Sequence, residues 1–335
     1  MTDINSDGPY EAQVLRVNLT TREITVETLD APTLRRYIGG YALGAKYLYE
    51  EVPPGVAWSD PENRLMFLAG VLSGTLVPGS GGVTVCTKGA MTGGAAATQA
   101  QGDFGAYLRR CGFIGVVIQG ASEGWTYLYL NGDGEAQLMD GEALSGMDTW
   151  QTVDAITAEL GKKERALSIF SIGPAGENHV RWAGIVGNKG HAAMHNGSGA
   201  VMGSKKLKAV VVERGNQRVR MEDTARLREI VDALMEPVRA NKQGIHYYGT
   251  LNALDRNYAA SNLPVKNYTT SVWDIPEEKY QQFSGPYMHE HFEPQRSRPC
   301  WACPNRHCHM MTITEGAYAG MEVEDNVGFA GHVPD

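Results

Sequence analysis

The chain has 335 residues, 42% of them hydrophobic, and a formal charge of −8 at pH 7. That length exceeds the roughly 250–300 residues at which single hydrophobic cores stop growing, so two domains are expected. The acidic balance and the absence of any Lys/Arg block argue against a nucleic-acid partner, and a small anionic substrate would need a local basic pocket.

Along the chain, Val14–Leu19 and Glu23–Glu27 alternate apolar and polar residues about Thr20-Thr21-Arg22, which predicts a β-hairpin. Residues 29–51 turn helical through Leu34, Tyr37, Ile38, Leu43, Tyr47 and Leu48. The apolar run Leu65–Ala69 predicts a buried strand. Further strands are expected at 82–87, 115–119, 126–130, 136–139, 167–172 and 209–213, with helices over 101–111, 149–160 and 199–207. This mixture gives an α+β domain over residues 1–215. Beyond it, Leu227, Ile230, Val231 and Leu234 form the stripe of an amphipathic helix over 221–240, and helical pattern returns over 250–260. Residues 216–335 therefore read as the beginning of an α-helical domain. No stretch approaches ~18 apolar residues and the start Met1–Asp7 is polar, so neither a membrane span nor an export signal is expected and the chain reads as cytoplasmic.

Three of the five cysteines fall within Cys300-Trp301-Ala302-Cys303-Pro304-Asn305-Arg306-His307-Cys308. Thiolates this close, with a proline following, are what iron–sulfur loops use, whereas zinc sites more often place two pairs at a distance. A zinc-stapled module drawing on His307 or His309 is the competing reading. Three thiolates leave a fourth iron corner to Cys86, to Cys111, to a non-cysteine residue or to something outside the chain. The clustering also suits a reducing compartment better than a disulfide framework.

Forty glycines are well above average usage of about 7% and gather near 39–44, 79–105 and 173–203. The segment Gly173–Asn178 and the run Gly197–Lys208 place small residues before a helix start, where exposed amides can nest phosphate oxygens, although tight packing explains such turns as well. In the stretch through Gly81, Gly82 and Gly102, the amides of Gln99 and Gln101 can bond a heterocycle edge; a solvated surface loop is the alternative. His191 and His195 are four apart, the spacing of one helical face.

Taken jointly, the sequence resembles the aldehyde ferredoxin oxidoreductase family. The likeness is carried by Val14–Leu19, Ser59–Asn63, Leu72–Thr75, Gly173–Asn178, Gly199–Leu207 and Pro299–Pro304. It implies an N-terminal two-sheet domain cradling a tungsten (or molybdenum) bis-pterin, helical domains closing over it, and a [4Fe-4S] cluster on Cys300, Cys303 and Cys308. It also implies pterin contacts at Gly81, Gly82, Gln99, Gln101, Gly102, His191, Ala192 and His195, and a general acid/base carboxylate at Glu324. Two departures stand out. The second cysteine gap holds four residues where the family has three, and arginines expected at Gly82, His191 and His195 are absent, which removes fixed positive charge from pterin phosphates. The chain covers about the first half of a family member, so a second polypeptide supplying the remainder is one expectation.

The function implied is oxidation of a small aldehyde to its acid, or a related reduction, with electrons leaving through the cluster to a ferredoxin-like carrier. The alternative is a non-catalytic relative that keeps the fold, and with it the cluster, as an electron-transfer or assembly subunit. No nucleic acid or membrane partner is expected, and a homo-oligomer is compatible with the sequence.

Overall fold

The computed structural model describes residues 12–324 except 242–243, 264, 267 and 292–295, with the side chains of 296, 323 and 324 also left out. The chain divides into two compact units at Leu227/Arg228. Among the described residues, the first is built on two six-stranded sheets.

In the first sheet the expected hairpin forms from β1 (Ala12–Asn18) and β2 (Glu23–Leu29), paired antiparallel. Two helices follow, α1 (Ala31–Tyr37) and α2 (Gly40–Glu51), where the sequence showed one helical stretch. Asp30 caps α1 by accepting from Thr33 N–H at 2.9 Å. The sheet is completed by β3 (Leu65–Leu68), β4 (Val83–Lys88), β5 (Ala95–Ala100) and, after helix α3 (Phe104–Arg110), β6 (Phe113–Gln119), in the order β2-β1-β6-β3-β4-β5. Only the β1–β6 pair is parallel in it.

The second sheet uses β7 (Thr126–Leu130) and β8 (Ala136–Asp140), then, after α4 (Thr149–Glu159), β9 (Leu167–Ser171). Helix α5 (Pro174–Glu177) leads to β10 (Ile185–Gly187) and β11 (His191–Ala193), and α6 (Ser198–Ser204) to β12 (Leu207–Glu213). Their order is β11-β10-β9-β12-β7-β8.

Strand periodicity sorts the side chains into layers. Met66 and Leu68 join Leu43 and Tyr47 of α2 in one buried cluster, while Leu167, Ile169 and Val211 join Val153 and Ile156 of α4 in another. Between the sheets the opposite faces meet. Phe67 of β3 and Phe170 of β9 close edge-to-face at 6.3 Å, and Phe104 of α3 contacts both, at 5.5 and 4.9 Å. Lysines also cross this interior. The fully buried Lys205 donates to the carbonyls of Gly120 (3.1 Å) and Pro61 (3.3 Å), tying the α6–β12 corner to loops of the first sheet. Burial, reinforced by Arg64 and opposed by Glu62, pulls its amine down to about 7. Lys208 is equally buried, bonded to Glu177 and to Met147 O at 2.8 Å.

The second unit opens with α7 (Thr224–Ala240), where the expected stripe is only partly covered: Val231 and Met235 are buried, but Ile230 and Leu234 are exposed. Short helices α8 (Gly244–Tyr248), α9 (Leu254–Ala259), α10 (Glu277–Gln281) and α11 (Gly285–His291) follow. Leu254, Leu263, Val265 and Tyr280 form a small core, with Tyr258 stacked on Tyr280 at 4.0 Å. The unit is not purely helical. β13 (Arg296–Ser297), β14 (His309–Thr312) and β15 (Glu322–Glu324) make a three-stranded antiparallel sheet that the sequence did not announce. Among the described residues no helix is long and apolar enough to cross a membrane.

Candidate cofactor site

A cavity of about 600 Å³ opens at the β4–β5 edge of the first sheet. Apolar side chains such as Tyr41, Val71, Leu72 and Val83 line it together with glycines: Gly39 and Gly40 at the α1–α2 junction, Gly70 after β3, and Gly79 and Gly82 before β4. Gln99 and Gln101 stand at its rim, where their amides can bond a heterocycle edge. At the lip, Ile38 has φ 63° and ψ −49°, and Gly39 N–H reaches Tyr37 O at 2.6 Å. That is a γ-turn centred on a β-branched residue, a strained arrangement of the kind found beside binding sites.

The cavity's described lining holds no Lys, Arg, His, Asp or Glu side chain. Space, backbone groups and two amides fit the flat polar ring system of a pterin. Counter-charge for its phosphates is not part of this described wall.

Gly82, Gln99 and Gln101 line the cavity directly, and Gly81 belongs to the same turn, its carbonyl accepting from Gly105 N–H at 2.9 Å. The turn and α3 touch so closely that a Cβ on Gly105 would stand 2.1 Å from Gly82 O. Gly102, Ala192 and the two histidines lie at the seam where β5 meets β11. The expectation that His191 and His195 share a helical face is wrong: His191 opens β11 and His195 sits on a 3-10 turn, because the chain here pairs with β10 instead of coiling. The ring of His191 lies over Gly102, whose φ of 112° and lack of a Cβ, which would stand 2.7 Å from that ring, both require glycine. His195 N–H donates to Thr98 Oγ1 at 3.4 Å. Gln99 and Ala100 end β5, and Gln101 follows it outside the strand. Of the two readings of Gly173–Asn178, nest or tight packing, the close approach favours packing: a Cβ on Gly203 would meet Gly176 O at 2.0 Å.

In the second unit the cysteine loop is the connection between β13 and β14, closed by Arg298 N–H to Cys308 O at 2.7 Å and braced by Ser297 Oγ to Arg306 O at 3.1 Å. Cys300 and Cys308 are buried and Cys303 is half-buried; all five cysteines stand outside disulfides. Burial pushes the Cys303 thiol up, but the His307 ring, 3.9 Å away, and the amides of Arg306 and Asn305 outweigh it and hold it below the usual thiol range. Among the described residues no group of three or more His, Cys, Asp or Glu is gathered as a metal would need. Thiols have no attraction for one another that would gather them without iron. The donor set, soft and on one hairpin loop, still fits a cluster.

Cys86 and Cys111 lie away from the loop in sequence. Each is buried in the first unit, where burial pushes the thiol up to about 12, and Cys111 donates to Glu213 O at 3.1 Å. Glu324 ends β15 opposite Met310, two residues beyond Cys308, so its backbone belongs to the sheet that carries the loop; its side chain lies outside the described residues.

Residues 14–214 match the family model of the aldehyde ferredoxin oxidoreductase N-terminal domain. The chain belongs to the aldehyde ferredoxin oxidoreductase family. Residues 229–333 match the family's domains 2 and 3. A tungsten-containing aldehyde ferredoxin oxidoreductase of Pyrococcus abyssi is 36% identical over 299 residues, covering 88% of this chain and 48% of the relative. The aliphatic sulfonate oxidoreductase WOR-like subunit of Pyrococcus furiosus is 29% identical over 287 residues, 80% of this chain and 45% of that protein. Among solved structures, the active-site complex BamBC of benzoyl coenzyme A reductase with 1,5-dienoyl-CoA is similar at a TM-score of 0.81 and 27% identity, over 93% of this chain and 48% of that one. The chain spans about half the length of the curated relatives it matches.

The structure also adds residues that motif reading missed. Gly39, Gly40, Tyr41, Ser73 and Thr84 all line the cavity. The sequence signals for them were the Gly39-Gly40 pair and, for Ser73, the Leu72–Thr75 segment.

Proposed function

We propose that the chain forms the cofactor-binding half of a tungsten- or molybdenum-pterin oxidoreductase. It would take two electrons from an aldehyde hydrate, giving the acid and two protons, and pass them singly through a [4Fe-4S] cluster to a ferredoxin-like carrier. The observation that carries this reading is the glycine-walled cavity with Gln99 and Gln101 at its rim, in a family member that also carries Cys300, Cys303 and Cys308 on one loop. When bound, the pterin metal supplies the two-electron chemistry. The protein's part is positional. Gln99 and Gln101 would orient the ring by amide hydrogen bonds, and Tyr41, Val71 and Leu72 would exclude water from one side of it. Cys300, Cys303 and Cys308 would hold the iron, and Glu324 would accept a proton from the hydrate. Further family length, from the same or a second polypeptide, would complete the phosphate and cluster contacts.

The uncharged lining of the cavity favours a second reading, a relative that keeps the cluster but relays electrons without pterin. Dye reduction by the anaerobically purified assembly separates the two when tested with aldehydes, aliphatic sulfonates and benzoyl-CoA. Substrate-dependent reduction with pterin fluorescence in the extract supports the first. Iron and sulfide without either supports the second.

A further inference from the structure

A second cavity, about 460 Å³, lies in the first unit between α1, the end of α3 and the segment after β12. Its floor is apolar, made by Leu34, Ile114 and Met221, and Arg35, Arg109 and Arg220 enter it against one carboxylate, Glu222. Arg109 is the deep one. It sits in the last turn of α3 with its Nε shielded from solvent and without a hydrogen-bond partner, and burial alone pulls its guanidinium below the ordinary range. A buried donor without a partner forfeits its hydration without compensation. Arg35 and Arg220 border the same space from the exposed side.

We propose that this cavity is a binding site for a small monocarboxylate with an apolar tail. The carboxylate would pair with the guanidinium of Arg109, a group shaped for such a fork, and the tail would lie on the apolar floor. One deep cation and a carboxylate in the wall favour a single negative charge over a phosphate dianion. Ile38, Val71 and Leu72 line both cavities, so a bound acid would rest against the wall of the pterin cradle. None of this depends on what the cradle holds.

Titration calorimetry of the full chain with hexanoate tests the site, with hexanol as the uncharged probe. Hexanoate is expected to bind saturably and hexanol at least about tenfold more weakly, and Arg109→Gln is expected to weaken hexanoate by about tenfold or more. Should Arg109→Gln not fold, the exposed changes Arg35→Gln and Arg220→Gln serve instead, each expected to weaken hexanoate about threefold by removing long-range attraction. No saturable hexanoate binding, equal affinity for hexanol, or variants that bind as well as the parent would overturn the proposal.

Discussion

Replacing Gly105 by alanine tests whether the cradle's edge is held by backbone-to-backbone packing. The new methyl would be placed 2.1 Å from Gly82 O and 3.1 Å from Gly81 O, where side-chain carbons need at least 3.0 Å. Two effects favour alanine: helix propensity and a less flexible unfolded chain, together about 1 kcal/mol. Against them stands a shift of nearly an ångström between a carbonyl and a helix pinned by the buried Phe104, Ala106 and Leu108. Overpacking of this kind costs about 1–3 kcal/mol, and more where backbone must move. The clash should win, leaving a net loss of about 1–2 kcal/mol and, in a unit of this size, a thermal midpoint lower by about 2–8 °C. Gly94→Ala is the control, since its Cβ would come no closer than 3.8 Å to Thr92 Oγ1. Calorimetric scans of both variants decide the matter. Equal midpoints for parent, Gly94→Ala and Gly105→Ala would refute the packing argument.

Lys205 gives a pH signature. Its amine is pulled down to about 7 when folded but lies near 10.5 in the open chain, so between those values the unfolded state binds the extra proton. Stability should rise with pH across that window, by up to about 1.4 kcal/mol per unit, and the burial cost is fully present below it. In Lys205→Met that slope should vanish from denaturant titrations at pH 6 to 9; an unchanged slope contradicts the assignment. Glu177→Gln strands the buried Lys208 ammonium and should cost about 3–5 kcal/mol in urea unfolding, with Glu177→Gln/Lys208→Met recovering part of it. A loss below about 1 kcal/mol would mean that the pair is not sealed from water.

Legibility in the sequence followed how each element is stabilised. β3 and β7 were plain because uninterrupted apolar runs are buried on both faces. β5 (Ala95–Ala100) was hidden: Ala96, Thr98 and Ala100 alternate inward, but alanines on both faces give no contrast of polarity. β10 and β11 are three residues each and exist through pairing, β10 with β9 and β11 with β10, so no local pattern marks them. The sheet around the cysteine loop was missed for the same reason. Site residues show the same division. Gln99 and Gln101 declared themselves as amides among glycines, whereas Gly39, Ser73 and the β4 residue Thr84 reach the cavity only through the meeting of segments far apart in the chain. The arginine-lined cavity has no sequence signature, since Arg35, Arg109 and Arg220 meet only in the fold.

Elemental and acid-labile sulfide analysis of the full-length assembly, purified without oxygen, bears most directly on the central claim that this chain carries both a cluster loop and a pterin cradle. About four iron and four sulfide per chain, with tungsten or molybdenum present, is the expected result, and Cys303→Ser should lose the iron while Cys111→Ser retains it. Zinc in place of iron, or iron that survives Cys303→Ser undiminished, would contradict the account.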